Sequence, residues 1–179
     1  MIWAFDMDGT VVEAWYGEYT PAFYLNDEDA ATRGVFGNIY EYVKPLPYVN
    51  DFLADILLED PKAVFVLISR LSSGKEFVDK IPFILDNFKD ADSHSYFKEE
   101  NIFGTVKDED KWYILQHFAK QDDVVYFDDT LGTLSYIAQK SETMLPAGRR
   151  IFGVHSTSIY MRTPKEIIAS FKAYKEGKN

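Results

Sequence analysis

Two aspartates, Asp6 and Asp8, sit on either side of a methionine at the end of a short apolar run, and Gly9-Thr10 follow them. On a strand, residues two apart point the same way, but a glycine just past the strand end makes a turn that can aim the two carboxylates separately. One can then attack an electrophile while the other manages protons. Attack by Asp6 on phosphorus would give an aspartyl phosphate, a covalent route open to carboxylate nucleophiles. Asp8 would protonate the leaving-group oxygen and then deprotonate the water that cleaves the intermediate. A second acidic pair, Asp128-Asp129, follows another apolar run.

Phosphate monoesters are dianionic, and this many carboxylates would repel them unless a cation intervened. Mg²⁺ is the natural choice, because it takes oxygen ligands octahedrally and keeps waters, a set that Asp6, the Asp8 backbone carbonyl, Asp128 and a phosphate oxygen can supply. Asp129 would bind through water or orient Asp128. Ser69 offers a hydroxyl and nearby backbone N–H groups to a phosphoryl oxygen. Arg70 beside it can pair with an acid or reach the substrate phosphate, and Thr10 is expected to order its turn, at the substrate end, through its hydroxyl. A lysine is still needed to offset the intermediate's charge. Lys111 is the choice, because it opens the helix before the strand that delivers Asp128, with Lys107 as the fallback.

These residues need elements to hold them. Ile2 to Phe5, Val64 to Ile68 and Val124 to Phe127 read as buried strands, and each runs straight into the polar residues just named; Asn101 to Phe103 and Ile151 to Val154 are weaker strand signals. Helical spacing recurs in Val49, Phe52, Leu53, Ile56 and Leu57, and in Phe77, Ile81, Ile84 and Phe88, where Pro82 is expected to break or kink the helix. Trp112 to Ala119 and Leu131 to Gln139 supply two more helices. Ser73 with Glu76, and Thr163 with Pro164 and Glu166, have the spacing of helix starts. Strands that are apolar on both faces and alternate with helices imply an α/β fold: a three-layer, Rossmann-like core around a mainly parallel sheet. Such sheets bind ligands beyond the carboxyl ends of their strands, where Asp6, Asp8, Ser69, Asp128 and Asp129 all fall. Residues 11–44 are the least regular stretch. They read as a flap with a hairpin near Gly34 and Gly37, inserted in a single domain over 1–179, and Trp15, Tyr16, Tyr19, Phe23 and Tyr24 favour an ordered lid.

Composition narrows the partners. The chain has 179 residues, 46% apolar and 16% aromatic, enough for a substantial core. A formal charge of −10 argues against broad nucleic-acid or anionic-membrane binding, which needs clustered lysine and arginine. The absence of cysteine excludes disulfides, thiolate metal sites and cysteine nucleophiles. With no long apolar run, the protein is expected to be soluble and cytoplasmic. His94, His117 and His155 are scattered, lack metal-ligand spacing and read as surface or partly buried residues.

Taken in order, Asp6-Met7-Asp8-Gly9-Thr10, Ser69, Lys111 and Asp128-Asp129 resemble the four motifs of the haloacid dehalogenase (HAD) superfamily of phosphatases. The resemblance spans Ala4 to Asp129 and implies Mg²⁺ and an aspartyl-phosphate mechanism. Within the superfamily, Ser69-Arg70, Tyr126 to Asp129 and the hairpin-like Gly34 to Tyr42 are similar to the magnesium-dependent phosphatase-1 group, whose cap is minimal; Gly9 departs from the bulkier residue that group often carries. No long insertion separates Arg70 from Lys111, so the resemblance implies a site open to a small molecule, a nucleotide or a phosphoprotein. The opening Asp-Met-Asp-Gly is also similar to 5′(3′)-deoxyribonucleotidases, and a polynucleotide 3′-phosphatase of the same fold is a further alternative. The rival of another class is a module that binds a phospho-ligand without turning it over.

Overall fold

The structure, a computed structural model, describes residues 1–13, 40, 43–71, 74–146 and 148–177, with the side chain of Lys75 excepted. Five strands form one parallel sheet: β1 (Ile2–Phe5), β2 (Val64–Arg70), β3 (Ile102–Thr105), β4 (Val124–Asp128) and β5 (Ile151–His155), in the order β3-β2-β1-β4-β5. All four pairings are parallel, and β1 lies in the middle with Phe5 opposite Leu67 on one side and Phe127 on the other. The fold is therefore the doubly wound α/β architecture expected from strands without a polar face. All three strong strand signals and both weak ones are strands.

Side-chain alternation splits the core into two layers. Trp3, Phe5, Leu67 and Phe127 point to the face covered by α1 (Val49–Glu59), α2 (Gly74–Asn87) and α6 (Pro164–Lys175). Ile2, Ala4, Val66, Ile68 and Tyr126 point to the face covered by α3 (Lys111–Ala119) and α4 (Leu131–Met144). A one-turn helix, α5 (Ser158–Met161), links β5 to α6. On the first face, Phe5 stacks on Phe127 with ring centroids 4.9 Å apart, which ties the two central strands together just below their polar ends.

Helix boundaries follow local chemistry. α6 starts with the expected capping box: the Glu166 backbone N–H donates to Thr163 Oγ1 at 3.3 Å, and the Thr163 N–H donates to Glu166 Oε2 at 2.8 Å. The expected break at Pro82 is overturned, because α2 runs unbroken through it and ends at Asn87, one residue short of Phe88. The carbonyl that a proline leaves without its amide partner belongs to Val78, and that turn faces outward with Val78 67% exposed, so water can take the place of the lost bond. The proposed cap Ser73 lies outside the described residues.

Residues 14–39, 41 and 42 of the expected flap, including its hairpin and aromatic cluster, also lie outside the described residues. Its stem does not. The Glu13 N–H donates to the Lys44 carbonyl at 3.0 Å, the Leu46 N–H donates to the Val11 carbonyl at 2.9 Å, and Val12 bridges Pro45 in antiparallel fashion. Among the described residues no helix is long and apolar enough to cross a membrane.

Candidate active site

The strand order reverses direction between β1 and β4, and a crevice opens at such a switch point beyond the strands' carboxyl ends. Asp6 is the first residue past β1 and Asp128 the last of β4. The Asp6 N–H continues the ladder by donating to the Phe127 carbonyl at 2.8 Å, so the two acids are held side by side by backbone pairing.

Lys111 joins them. Its Nζ donates to Asp6 Oδ1 at 2.7 Å and to Asp128 Oδ2 at 3.0 Å, and it also pairs with Asp108 Oδ1 at 3.3 Å. Lys111 opens α3 directly after a short 3-10 turn, Asp108–Asp110, while the alternative Lys107 stays exposed before that turn. No described group hydrogen-bonds Asp6 Oδ2, so one oxygen of that carboxylate is anchored and the other has lone pairs to spare.

On balance Asp6 is raised to about 7, with burial as the largest cause. The Lys111 charge pulls it down, and the charges of Asp128 and Asp8 push it up again. Burial alone would lower Lys111, but the charges of Asp6 and Asp128 and the hydrogen bonds to them raise it on balance, so it stays an ammonium. One ammonium among this many carboxylates leaves a net negative site. That charge balance favours a further cation.

Asp129 completes the acidic cluster. Asp6, Asp128 and Asp129 each offer a carboxylate oxygen, and these three atoms lie within 4.8 Å of one another. Ligands on one octahedral Mg²⁺ with bonds of about 2.1 Å stand roughly 3 to 4 Å apart, so small side-chain adjustments suffice, and the all-oxygen donor set is the kind Mg²⁺ takes. The residues present fit the ion.

Gly9 makes this closeness possible. Its φ is +74°, and a Cβ there would fall 2.4 Å from Asp129 Oδ2. A side chain at position 9 would therefore be strained and would push Asp129 out of the cluster. The turn itself is closed by backbone bonds, with the Val11 N–H donating to the Met7 carbonyl at 2.9 Å and the Gly9 N–H to the Val12 carbonyl at 3.0 Å. Thr10 does not order it through its hydroxyl as expected: Thr10 is fully buried and its Oγ1 has no hydrogen-bond partner among the described residues.

The remaining expected residues are distributed around this centre. Asp8 is half-buried at the turn. Ser69 is fully buried near the end of β2, on the opposite face of the sheet from Lys111, and its hydroxyl donates to the Arg70 carbonyl at 3.2 Å. Arg70 reaches out, 66% exposed, to pair with Asp108 at 3.4 Å.

Three contributors escaped the sequence reading. Tyr126 is wholly buried and its hydroxyl donates to Asp128 Oδ2; burial first, then the charges of Asp6 and Asp128, hold it well above its usual range, so it stays a donor. Its two-residue spacing from Asp128 on a strand was the available signal. His155 Nε2 lies 3.1 Å from the Asp129 carbonyl, which can only accept, so Nε2 carries the proton. The third is Lys80, whose ammonium donates to Ser69 Oγ at 2.5 Å.

No protein-family model matches the chain, and no curated protein matches it. Among solved structures it is similar to the HAD domain of effector protein Lem4 from Legionella pneumophila, at 15% identity and a TM-score of 0.46 over 86% of this chain and 84% of that one.

Proposed function

We propose that the chain is a Mg²⁺-dependent phosphohydrolase of the haloacid dehalogenase type, cleaving phosphate monoesters through an aspartyl phosphate on Asp6. The observation that carries this reading is the Lys111 bridge between Asp6 Oδ1 and Asp128 Oδ2 at the switch point of the sheet, which anchors one oxygen of Asp6 and leaves the other to attack.

In the first step Asp6 Oδ2 forms a bond to phosphorus as the bond to the leaving oxygen breaks, and Asp8 gives that oxygen its proton. In the second, Asp8 takes a proton from water, whose oxygen attacks phosphorus, and the bond to Asp6 breaks to release inorganic phosphate. Lys111 offsets charge on the phosphoryl oxygens, and Ser69 donates a hydrogen bond to one of them. Mg²⁺ held by Asp6, Asp128 and Asp129, with the Asp8 carbonyl as a further ligand, would add Lewis-acid charge against the same oxygens. Burial works against the ionised Asp6 that attack requires, so the mechanism depends on positive charge beside it.

The narrower likeness to the magnesium-dependent phosphatase-1 group rests on the sequence at Ser69-Arg70, Tyr126 to Asp129 and the hairpin-like Gly34 to Tyr42, with Gly9 as its departure. The substrate is a phosphorylated small molecule, nucleotide or phosphoprotein. A screen across mononucleotides, sugar phosphates, phosphopeptides and 3′-phosphorylated oligonucleotides separates these, and preference for mononucleotides would favour the nucleotidase reading.

The direct test sets Asp6→Asn beside wild type on para-nitrophenyl phosphate with Mg²⁺. The expected loss is at least about a thousandfold, and chelation should silence wild type until Mg²⁺ is restored. Substantial activity in the purified variant would remove Asp6 as nucleophile. Tight phospho-ligand binding by wild type with no hydrolysis across the screen would favour the binding module.

A further inference from the structure

α2 meets the sheet through Phe83 and Ile84, and one turn before them on the same side comes Lys80, fully buried. An apolar residue would fill that place at least cost, because an ammonium taken out of water is expensive unless paired. Its Nζ donates to Ser69 Oγ at 2.5 Å, pairs with Glu76 Oε1 at 3.3 Å, and lies 5.8 Å from the centre of the Tyr40 ring. The Tyr40 hydroxyl donates to the same Glu76 oxygen at 3.3 Å. Tyr40 comes from the 11–44 segment, so three separate parts of the chain converge on one buried ammonium.

From this geometry we infer that Lys80 is a positioning residue, presetting the Ser69 hydroxyl as a hydrogen-bond donor to the phosphoryl group; the inference rests on the phosphohydrolase reading. A purely structural role would be met by the Glu76 pair, one helical turn away in the favourable Glu-before-Lys order. Yet the tightest of the three contacts is the one to Ser69, which an ion pair alone does not need.

The chemistry of the two groups fixes the direction of the bond. An ammonium has no lone pair and can only donate, so Ser69 Oγ must accept from it and has one proton left to give. That proton now goes to the Arg70 carbonyl at 3.2 Å, long for a hydroxyl donor, which usually sits about 2.7 to 2.8 Å from its acceptor. Such a bond is easily exchanged for one to an anionic phosphoryl oxygen. Positive charge on the accepting side also polarises the O–H and makes it a stronger donor. Lys80 thus acts through Ser69 without touching the reacting atoms.

The test is a double-mutant cycle in the full chain, on para-nitrophenyl phosphate with Mg²⁺, using Lys80→Met, Ser69→Ala and the pair. Lys80→Met should lower kcat/KM about tenfold to a hundredfold and raise the inhibition constant of inorganic phosphate. The double variant should be no worse than Ser69→Ala alone, since Lys80 would have nothing left to position. Lys80→Met/Glu76→Gln removes both charges, so that the Glu76 carboxylate is not left without its ammonium; it should keep a native thermal transition and show the same kinetic loss. Losses that multiply in the cycle, or wild-type kcat/KM in Lys80→Met/Glu76→Gln, would overturn the role of Lys80 while the phosphohydrolase reading stood. A wild type that hydrolyses nothing would overturn both.

Discussion

Two buried lysines stand near the carboxyl edge of the same sheet, on opposite faces, and they do different electrostatic work. Lys111, on the α3 face, gathers carboxylates from the ends of two neighbouring strands and the turn before its own helix. Lys80, on the α2 face, has a partner one turn away in its own helix and a neutral hydroxyl across the gap. The first is a counter-ion for a site with too much negative charge. The second is already neutralised, and what it adds is direction: it decides which way a serine donates. A cation amid surplus acid predicts loss of chemistry and stability together, whereas a neutralised one, removed together with its Glu76 partner, predicts loss of chemistry with little loss of stability.

The sharpest break comes from Lys111→Met. It strips Asp6 and Asp128 of their shared partner, and breaking a buried pair in this way costs about 3 to 5 kcal/mol. Turnover should fall at least about a hundredfold, and the midpoint of thermal unfolding in EDTA should fall with it. Retained stability would mean that Lys111 is not what holds the two carboxylates together.

Next in size is Gly9→Ala. The left-handed backbone and the closeness of Asp129 Oδ2 to where a Cβ would lie leave no room for a methyl group, so Asp129 should swing out and the Mg²⁺ concentration for half-maximal activity should rise about tenfold to a hundredfold. An unchanged Mg²⁺ requirement would remove Asp129 from the ion's ligands. Tyr126→Phe should be milder. It deletes one of the donors to Asp128 but leaves Lys111 and the Thr130 N–H, which donates to Oδ1 at 2.8 Å, so kcat/KM should drop about tenfold.

The smallest effect is on stability against pH. Asp6 is raised from its ordinary 3.8 to about 7 in the folded protein, so the fold prefers its protonated form. That contribution is complete below about pH 4 and lost as pH rises through 7. In EDTA the unfolding midpoint should fall by a few degrees between pH 5 and pH 8, and Asp6→Asn should flatten the trend. A wild-type midpoint that rises over this interval would show that Lys111 outweighs burial at Asp6.

The two lysines also differ in how readable they were. Asp6, Ser69 and Asp128 stand at the ends of unbroken apolar runs, and the chain marks such places itself. Lys111 was favoured over Lys107 because a helix start before the last of those strands points back at the strand ends. Lys80 had no such marker. Helical spacing picked out Phe77, Ile81, Ile84 and Phe88, but Phe88 falls beyond the helix, and the side of α2 that meets the sheet is lined by Lys80, Phe83 and Ile84. A stripe of apolar letters shows where a core is, and a lysine within it reads as solvated until its partner from another strand is known. Tyr126 was hidden for the same reason, counted as one more apolar strand residue, and His155 was passed over because its partner is a backbone carbonyl 26 residues away.

The central claim is that Asp6 carries the phosphoryl group, and it can be read on the protein itself. Wild type turning over para-nitrophenyl phosphate with Mg²⁺ is quenched in acid, reduced with borohydride, which converts an acyl phosphate to an alcohol, and mapped by peptide mass spectrometry. Asp6 should appear as homoserine only when substrate and Mg²⁺ were both present, and Asp8 should remain aspartate. Reduction at a different carboxylate, or none at any carboxylate while an initial burst of product is seen, would contradict it.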